Sequence, residues 1–264
     1  MEEYRENELE TALRRAADDP AFRPEFYKLL VESQVFILGD SDSLGEGEPT
    51  MPAGSKLGIV NWQRQDGSPV IPFFTSLPAL QRAIEEEQTY VALPARAFFE
   101  ITQGASLMLN PRLPYGKEFF PQEITALLAT GINQIPDRRV VEKETKVLLG
   151  QPQDYPSEMV AAVSKLLPRH PNVKAAYLAL MSQQDVTPPT SLVLGIEGDG
   201  DLEEALRQAG SVASDTRPEG IPVDLVAVKA GEPGLSEYFR RSTKPFYERT
   251  LGTRLKSVFG FGRA

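Results

Sequence analysis

Val173-Lys174-Ala175-Ala176-Tyr177-Leu178-Ala179-Leu180-Met181 and Ser191-Leu192-Val193-Leu194-Gly195-Ile196-Glu197 decide the fold of the second half of this chain. Both runs are apolar and strand-length, and the polar, proline-bearing segment Gln183 to Pro189 separates them. Ahead of them, Lys143 to Leu149 reads as a strand, and Pro156 to Leu167 as a helix with Met159, Val163, Leu166 and Leu167 inward. Behind them, Asp201 to Ala209 reads as a helix opened by a capping-box-like Asp201-x-x-Glu204, and Pro222 to Lys229 as a last strand. The order βαββαβ is that of the split βαβ, ferredoxin-like unit, expected here over residues 140–230.

Working outward, the first half alternates helices and strands. Leu9, Ala12, Leu13 and Ala16 form a helical stripe within residues 6–18, and Pro24 to Glu32 repeats the pattern with Phe26, Leu29 and Leu30. Val35 to Leu38 is a short buried strand, and Gly39 to Ser55 reads as a mobile loop. Lys56 to Arg64 and Pro69 to Phe74 are strand-like runs joined across Gln65-Asp66-Gly67-Ser68, a hairpin signal. Ser76 caps a helix carrying Pro78 in its first turn, with Leu77, Leu80 and Ile84 apolar. Tyr90 to Leu93 and Ser106 to Leu109 are strands around a short helix, Pro94 to Thr102, and a helix from Phe120 to Thr130 is ended by Gly131. The fold class expected is α+β, or mixed α/β, in two domains. They are residues 1–136, a mixed sheet with helices, and 137–264, the ferredoxin-like core with a helical basic tail at 237–264.

Composition narrows the chemistry. The 264 residues hold one histidine and no cysteine, which removes most metal, thiol and imidazole-assisted sites. That histidine, His170, lies in Leu167-Pro168-Arg169-His170-Pro171 and reads as part of a solvated turn. The net charge of −9 argues against nucleic-acid binding. The charge is polarised: residues 237–264 hold seven basic against two acidic residues, a net +5 against −14 for the remainder. No signal-like or membrane-spanning run is present, so the cytoplasm is the expected compartment.

The motifs that would carry a reaction fail on inspection. Around Gly116-Lys117, Pro111 and Glu118 stand where a phosphate loop needs glycine and a hydroxyl. Gly45-Glu46-Gly47 meets Thr50 where a dinucleotide fingerprint needs its third glycine. No Gly-x-Ser-x-Gly elbow exists, Gly198 to Asp201 reads as a turn and not a calcium loop, and Glu85-Glu86-Glu87 reads as a solvated face. No metal ligands, cofactor or catalytic residues are assigned. The best remaining cluster is Thr75, Arg96, Asn110 and Lys117, each at or just beyond an expected strand. Two cations and two hydrogen-bonding side chains there would take a small anionic ligand; otherwise they are a cap, a turn and two solvated charges.

Pro72-Phe73-Phe74-Thr75-Ser76, Leu93-Pro94-Ala95-Arg96, Leu109-Asn110-Pro111 and Pro114-Tyr115-Gly116-Lys117-Glu118-Phe119 resemble the SseB family, the enhanced serine sensitivity proteins. The second half, with Pro245-Phe246-Tyr247, is similar to that family's C-terminal domain. The resemblance implies a bacterial, two-domain cytoplasmic protein and brings no catalytic residue with it.

In the tail, Leu251, Leu255, Val258 and Phe259 recur at helical spacing with Arg254 on the basic side. This stripe would pack on its own domain, dock on a protein partner or touch an anionic membrane surface peripherally. The expectation is a non-enzymatic binding or regulatory protein with a protein partner or small anionic ligand. The alternatives are an enzyme acting on a small anionic metabolite through carboxylates and cations, and a membrane-surface adaptor using the tail.

Overall fold

Apolar residues every three or four positions make Leu9, Ala12, Leu13 and Ala16 the buried face of helix α1 (Glu8–Asp18) in a computed structural model. The structure describes residues 5–41, 57–133, 147–183 and 188–249. The chain divides into two compact units, Met1–Ile135 and Pro136–Ala264.

In the first unit, α1 turns through a 3-10 segment (Pro20–Phe22) into α2 (Arg23–Glu32). A seven-stranded sheet follows: β1 (Gln34–Ser41), β2 (Leu57–Ile59), β3 (Trp62–Gln63), β4 (Pro69–Phe74), β5 (Tyr90–Pro94), β6 (Leu107–Leu109) and β7 (Lys117–Phe119). Helices α3 (Leu77–Ala83), α4 (Ala95–Ile101) and α5 (Pro121–Thr130) interleave with the later strands. β1 is antiparallel to both β4 and β5, while β4 and β6 run parallel.

Side chains alternate across a strand, and β4 uses both faces. Phe73 joins Phe98, Phe99 and Phe119 in the larger core, with ring centroids 5.2, 5.9 and 6.0 Å away. Phe74 points the other way, to Leu38, Ala79, Leu80 and Ala83 under α3. The run expected to be one strand, Lys56 to Arg64, divides between two partners. β2 pairs with β1 and β3 with β4, so only the second piece completes the hairpin through Gly67, whose φ of 81° suits glycine. Gly39 to Ser41, expected in a loop, extend β1 because β2 pairs with them; residues 42–55 of that loop lie outside the described residues.

The second unit runs β8 (Val147–Gly150), α6 (Ser157–Leu166), β9 (Val173–Gln183), β10 (Thr190–Gly198), α7 (Glu203–Thr216), β11 (Val223–Val228), α8 (Leu235–Ser242) and β12 (Tyr247–Glu248). The α+β class and the βαββαβ order are present, but the strand arrangement is not the split, ferredoxin-like one. A split unit places a strand between the two parallel strands; here β10 and β11 are parallel and adjacent, from Leu192↔Val223 to Glu197↔Val228. The physical reason is edge occupancy: β8 and β12 take the outer edge of β9, so the free edge of β10 is the one left for β11 when the chain returns through α7. A Cβ on Gly210 would stand 3.3 Å from Leu225 of β11.

β10 takes one edge of β9 along its length, and β8 and β12 divide the other. β8 pairs with Leu180 to Gln183 and β12 with Ala175 and Ala176. α8 overlaps the start of the tail expected to be helical from 237 onward, while Tyr247 and Glu248 of that tail form β12 because they pair with β9. α8 inserts Phe239 against Tyr177, Val193 and Val228 on one face. Gly195 makes room, since a Cβ there would lie 2.8 Å from the Phe239 ring and 2.7 Å from Val228. α7 also differs from expectation. It begins at Glu203 after Leu202, with Asp201 accepting the Glu203 N–H at 2.8 Å, and it continues to Thr216 instead of ending at Ala209. The segment 143–146 and the tail from 250 onward, including Leu251, Arg254, Leu255, Val258 and Phe259, lie outside the described residues.

Candidate functional site

Because β4 and β6 are parallel neighbours, Thr75 and Asn110 emerge side by side at their C-terminal ends. The Thr75 N–H donates to Asn110 Oδ1 at 3.0 Å, and Asn110 Nδ2 donates to Thr75 Oγ1 at 3.0 Å. Into this pair comes Glu10 from α1. Its Oε1 accepts the hydroxyls of Thr75 at 2.9 Å and Ser76 at 2.7 Å, and its Oε2 accepts the Asn7 N–H at 2.9 Å. Asn7 Oδ1 accepts the Glu10 N–H in return, and Asn7 Nδ2 donates to the Thr75 carbonyl. Glu10, Thr75 and Asn110 are all buried, so each of these bonds forms where an unpaired polar group would be costly.

Backbone strain sits at the same place. Asn110, ahead of Pro111, has φ 49°, and Arg112 has φ 63°; both are left-handed conformations that side chains resist. Asn110 is held there by its own N–H, which donates to the Phe73 carbonyl at 2.8 Å, and by the Thr75 bonds. Arg112 is held by the Ala83 carbonyl at 3.3 Å and by stacking 4.8 Å over the Trp62 ring. Gly116 closes the turn, with the position of a Cβ only 2.8 Å from the Leu109 carbonyl oxygen.

The two cations of the expected cluster face protein groups. Lys117 Nζ donates to Glu123 Oε1 at 2.8 Å and to the Glu118 carbonyl at 3.0 Å, 4.8 Å over the Phe119 ring. Arg96 Nη1 donates to the Leu128 carbonyl at 3.4 Å, on the surface. Thr75 and Asn110 are thus brought together, Lys117 and Arg96 bind α5 instead, and the charge nearest the Thr75–Asn110 pair is the carboxylate of Glu10. Sequence reasoning missed Glu10 and Asn7. The signal was Asn7-x-x-Glu10, a capping box at the start of α1, whose glutamate lies beside the apolar stripe.

In the second unit, His170 is buried and not solvated, with Glu204 and Gln208 of α7 and Arg249, just after β12, around its turn. Its Nε2 has no hydrogen-bond partner. Burial lowers its pKa from the ordinary histidine value; the Gln208 amide and Glu204 carboxylate oppose that shift, and Arg169 and Arg249 reinforce it. Arg249, one of the basic residues of the 237–264 segment, points inward. Nε donates to the Val173 carbonyl at 2.9 Å, and Nη2 to those of His170 at 2.7 Å and Pro168 at 3.3 Å. On the other face of the sheet, Tyr177 donates to Glu197 Oε2 at 2.8 Å while Arg240 approaches Glu197 Oε1 at 3.4 Å. Burial, then the bond to Glu197, push the Tyr177 phenol up to about 12.

Among the described residues no group of three or more His, Cys, Asp or Glu could hold a metal ion, and no helix is long and apolar enough to cross a membrane.

A mixed sheet in each half, and strained turns braced by side chains, define a two-domain α+β protein. The model of the SseB protein N-terminal domain matches residues 9–126, and that of the SseB protein C-terminal domain matches residues 141–249. Protein SseB of Escherichia coli (strain K12) is 40% identical over 250 residues, 95% of each chain. Protein SseB of Shigella flexneri matches to the same extent, at 40% over 250 residues and 95% of each chain. No solved structure matches. The chain belongs to the SseB family.

Proposed function

We propose that this protein acts by binding another protein through apolar side chains that it keeps in water. The observation that carries the reading is the pair Ile101 and Phe120, 56% and 52% exposed. Ile101 is the last residue of α4, and Phe120 is the cap residue before α5, a helix that Arg96 of α4 reaches at the Leu128 carbonyl. Large apolar side chains left in water favour a binding surface. The polar side chains that sequence reasoning singled out support the same reading from the other direction, because their hydrogen bonds go to the protein itself.

The test is a stoichiometric complex isolated with the purified full-length chain as bait, repeated with Ile101→Glu/Phe120→Glu. The reading expects one saturable partner that the double variant loses. Equal capture by both chains, or turnover of an anionic metabolite by the purified chain, would refute it.

A further inference from the structure

We propose that His170 is a pH-operated latch on strand β12, its protonation loosening the loop whose carbonyls hold Arg249. The geometry joins three parts. The imidazole is 9% exposed, and its Nε2 is buried with no acceptor. The loop it occupies is short and turned: the His170 N–H donates to the Leu167 carbonyl, and the Val173 N–H donates to the His170 carbonyl, both at 3.0 Å. Three carbonyls of that loop, Pro168, His170 and Val173, receive the Arg249 guanidinium, while the Arg249 N–H extends the β12 pairing to the Lys174 carbonyl at 2.8 Å.

A neutral ring suits this setting and a charged one does not. Protonation turns Nε2 into a donor with nothing to accept it, and a buried unpaired donor is costly. The new charge also lies among Arg169 on its own turn and Arg249 just after β12, which repel it, against Glu204 on α7, which attracts it. Gln208, also on α7, favours the charged ring as well, but burial, the largest influence, outweighs both. The ring relieves the conflict by turning toward water. In the proposed latch the turn 167–173 swings outward together with the ring, so the His170 carbonyl shifts and Arg249 loses its shortest bond.

The sign follows from linkage. The folded state holds the proton less well than the unfolded chain, so this contribution to stability is complete above the ordinary histidine value of about 6.5. It is lost as pH falls from there toward the lower folded value.

One histidine in the sequence makes the test unambiguous, since every imidazole signal belongs to His170. The full-length chain is titrated by NMR from about pH 8 to about pH 5 while amide exchange is followed at Phe246 and Arg249. The expected result is that protection at both amides, corrected for intrinsic exchange, falls by up to about tenfold per pH unit and tracks the His170 titration. His170→Asn removes the pH dependence. Arg249→Gln lowers Phe246 protection at every pH and raises the His170 midpoint, a readout that stands even where His170→Asn fails to fold. Protection at Arg249 that stays level while His170 titrates overturns the proposal, as does an unchanged pH dependence in His170→Asn.

Discussion

Thr75 Oγ1 lies 2.9 Å from Glu10 Oε1 across 65 residues of sequence, and this bond fastens the first helix of the chain to the end of β4. Glu10→Ala leaves two hydroxyls and the Asn7 N–H without their shared acceptor. Bonds to a charged acceptor are the stronger kind, so a loss of about 2–3 kcal/mol is expected by denaturant unfolding. Thr75→Ala should couple to it by more than about 0.5 kcal/mol in a double-mutant cycle. Strict additivity would separate the two residues energetically and contradict the brace.

Gly116→Ala places a methyl 2.8 Å from the Leu109 carbonyl oxygen and 3.0 Å from that of Asn110, both backbone atoms. The β6–β7 turn must shift, at an expected cost of about 1–3 kcal/mol. Gly67→Ala meets nothing within 4 Å and suffers only its φ of 81°, so it should cost about 1 kcal/mol. Thermal unfolding of the pair checks the ranking.

Tyr177 gives an alkaline signature. Its phenol is held neutral up to about 12, above the unfolded value, so the folded chain keeps a proton that the unfolded chain gives up. This stability is complete below a pH of about 10 and declines as pH rises toward the folded value. Absorbance titration of phenolate should find a late-ionising component that shrinks in Tyr177→Phe, with Tyr247, also pushed up by burial, remaining. A Tyr177→Phe variant with the same alkaline slope as the parent would contradict the assignment.

Ile101→Glu and Phe120→Glu remove apolar side chains that are more than half exposed. Each should leave stability within about 0.5 kcal/mol of the parent. Loss of the partner complex at unchanged melting temperature is the expected combination, and equal loss of both would make the residues structural.

Local signals carried much of the architecture. Ser76 sits where a cap belongs and accepts the Ala79 N–H at 3.1 Å, and Gly131 ends α5 at φ 74°. Phe73 and Phe74 announce a strand buried on both faces. What stayed hidden depends on elements far apart in sequence. Strand order in the second unit rests on which edges of β9 and β10 are taken, not on the order of elements. β7 is three residues beside a proline- and glycine-rich turn, and α8 buries only Ser236 and Phe239. His170 looks like a hydrated turn until α7 and Arg249 arrive around it. The cluster at Thr75 was legible as a meeting of strand ends; its central carboxylate was not, because a helix cap near the N-terminus gives no hint of what its outward oxygen reaches.

The shared flank of β9 sets a timetable for synthesis. Among the described residues, 175 and 176 receive their outer partner from Tyr247 and Glu248, which are synthesised long after them. Until then a nascent chain carries a strand with open amides and carbonyls, a template for wrong pairing between neighbours. A chain stopped at Lys244 would keep that vulnerability permanently, and its failure would show as aggregation at the bench before any loss of binding was noticed.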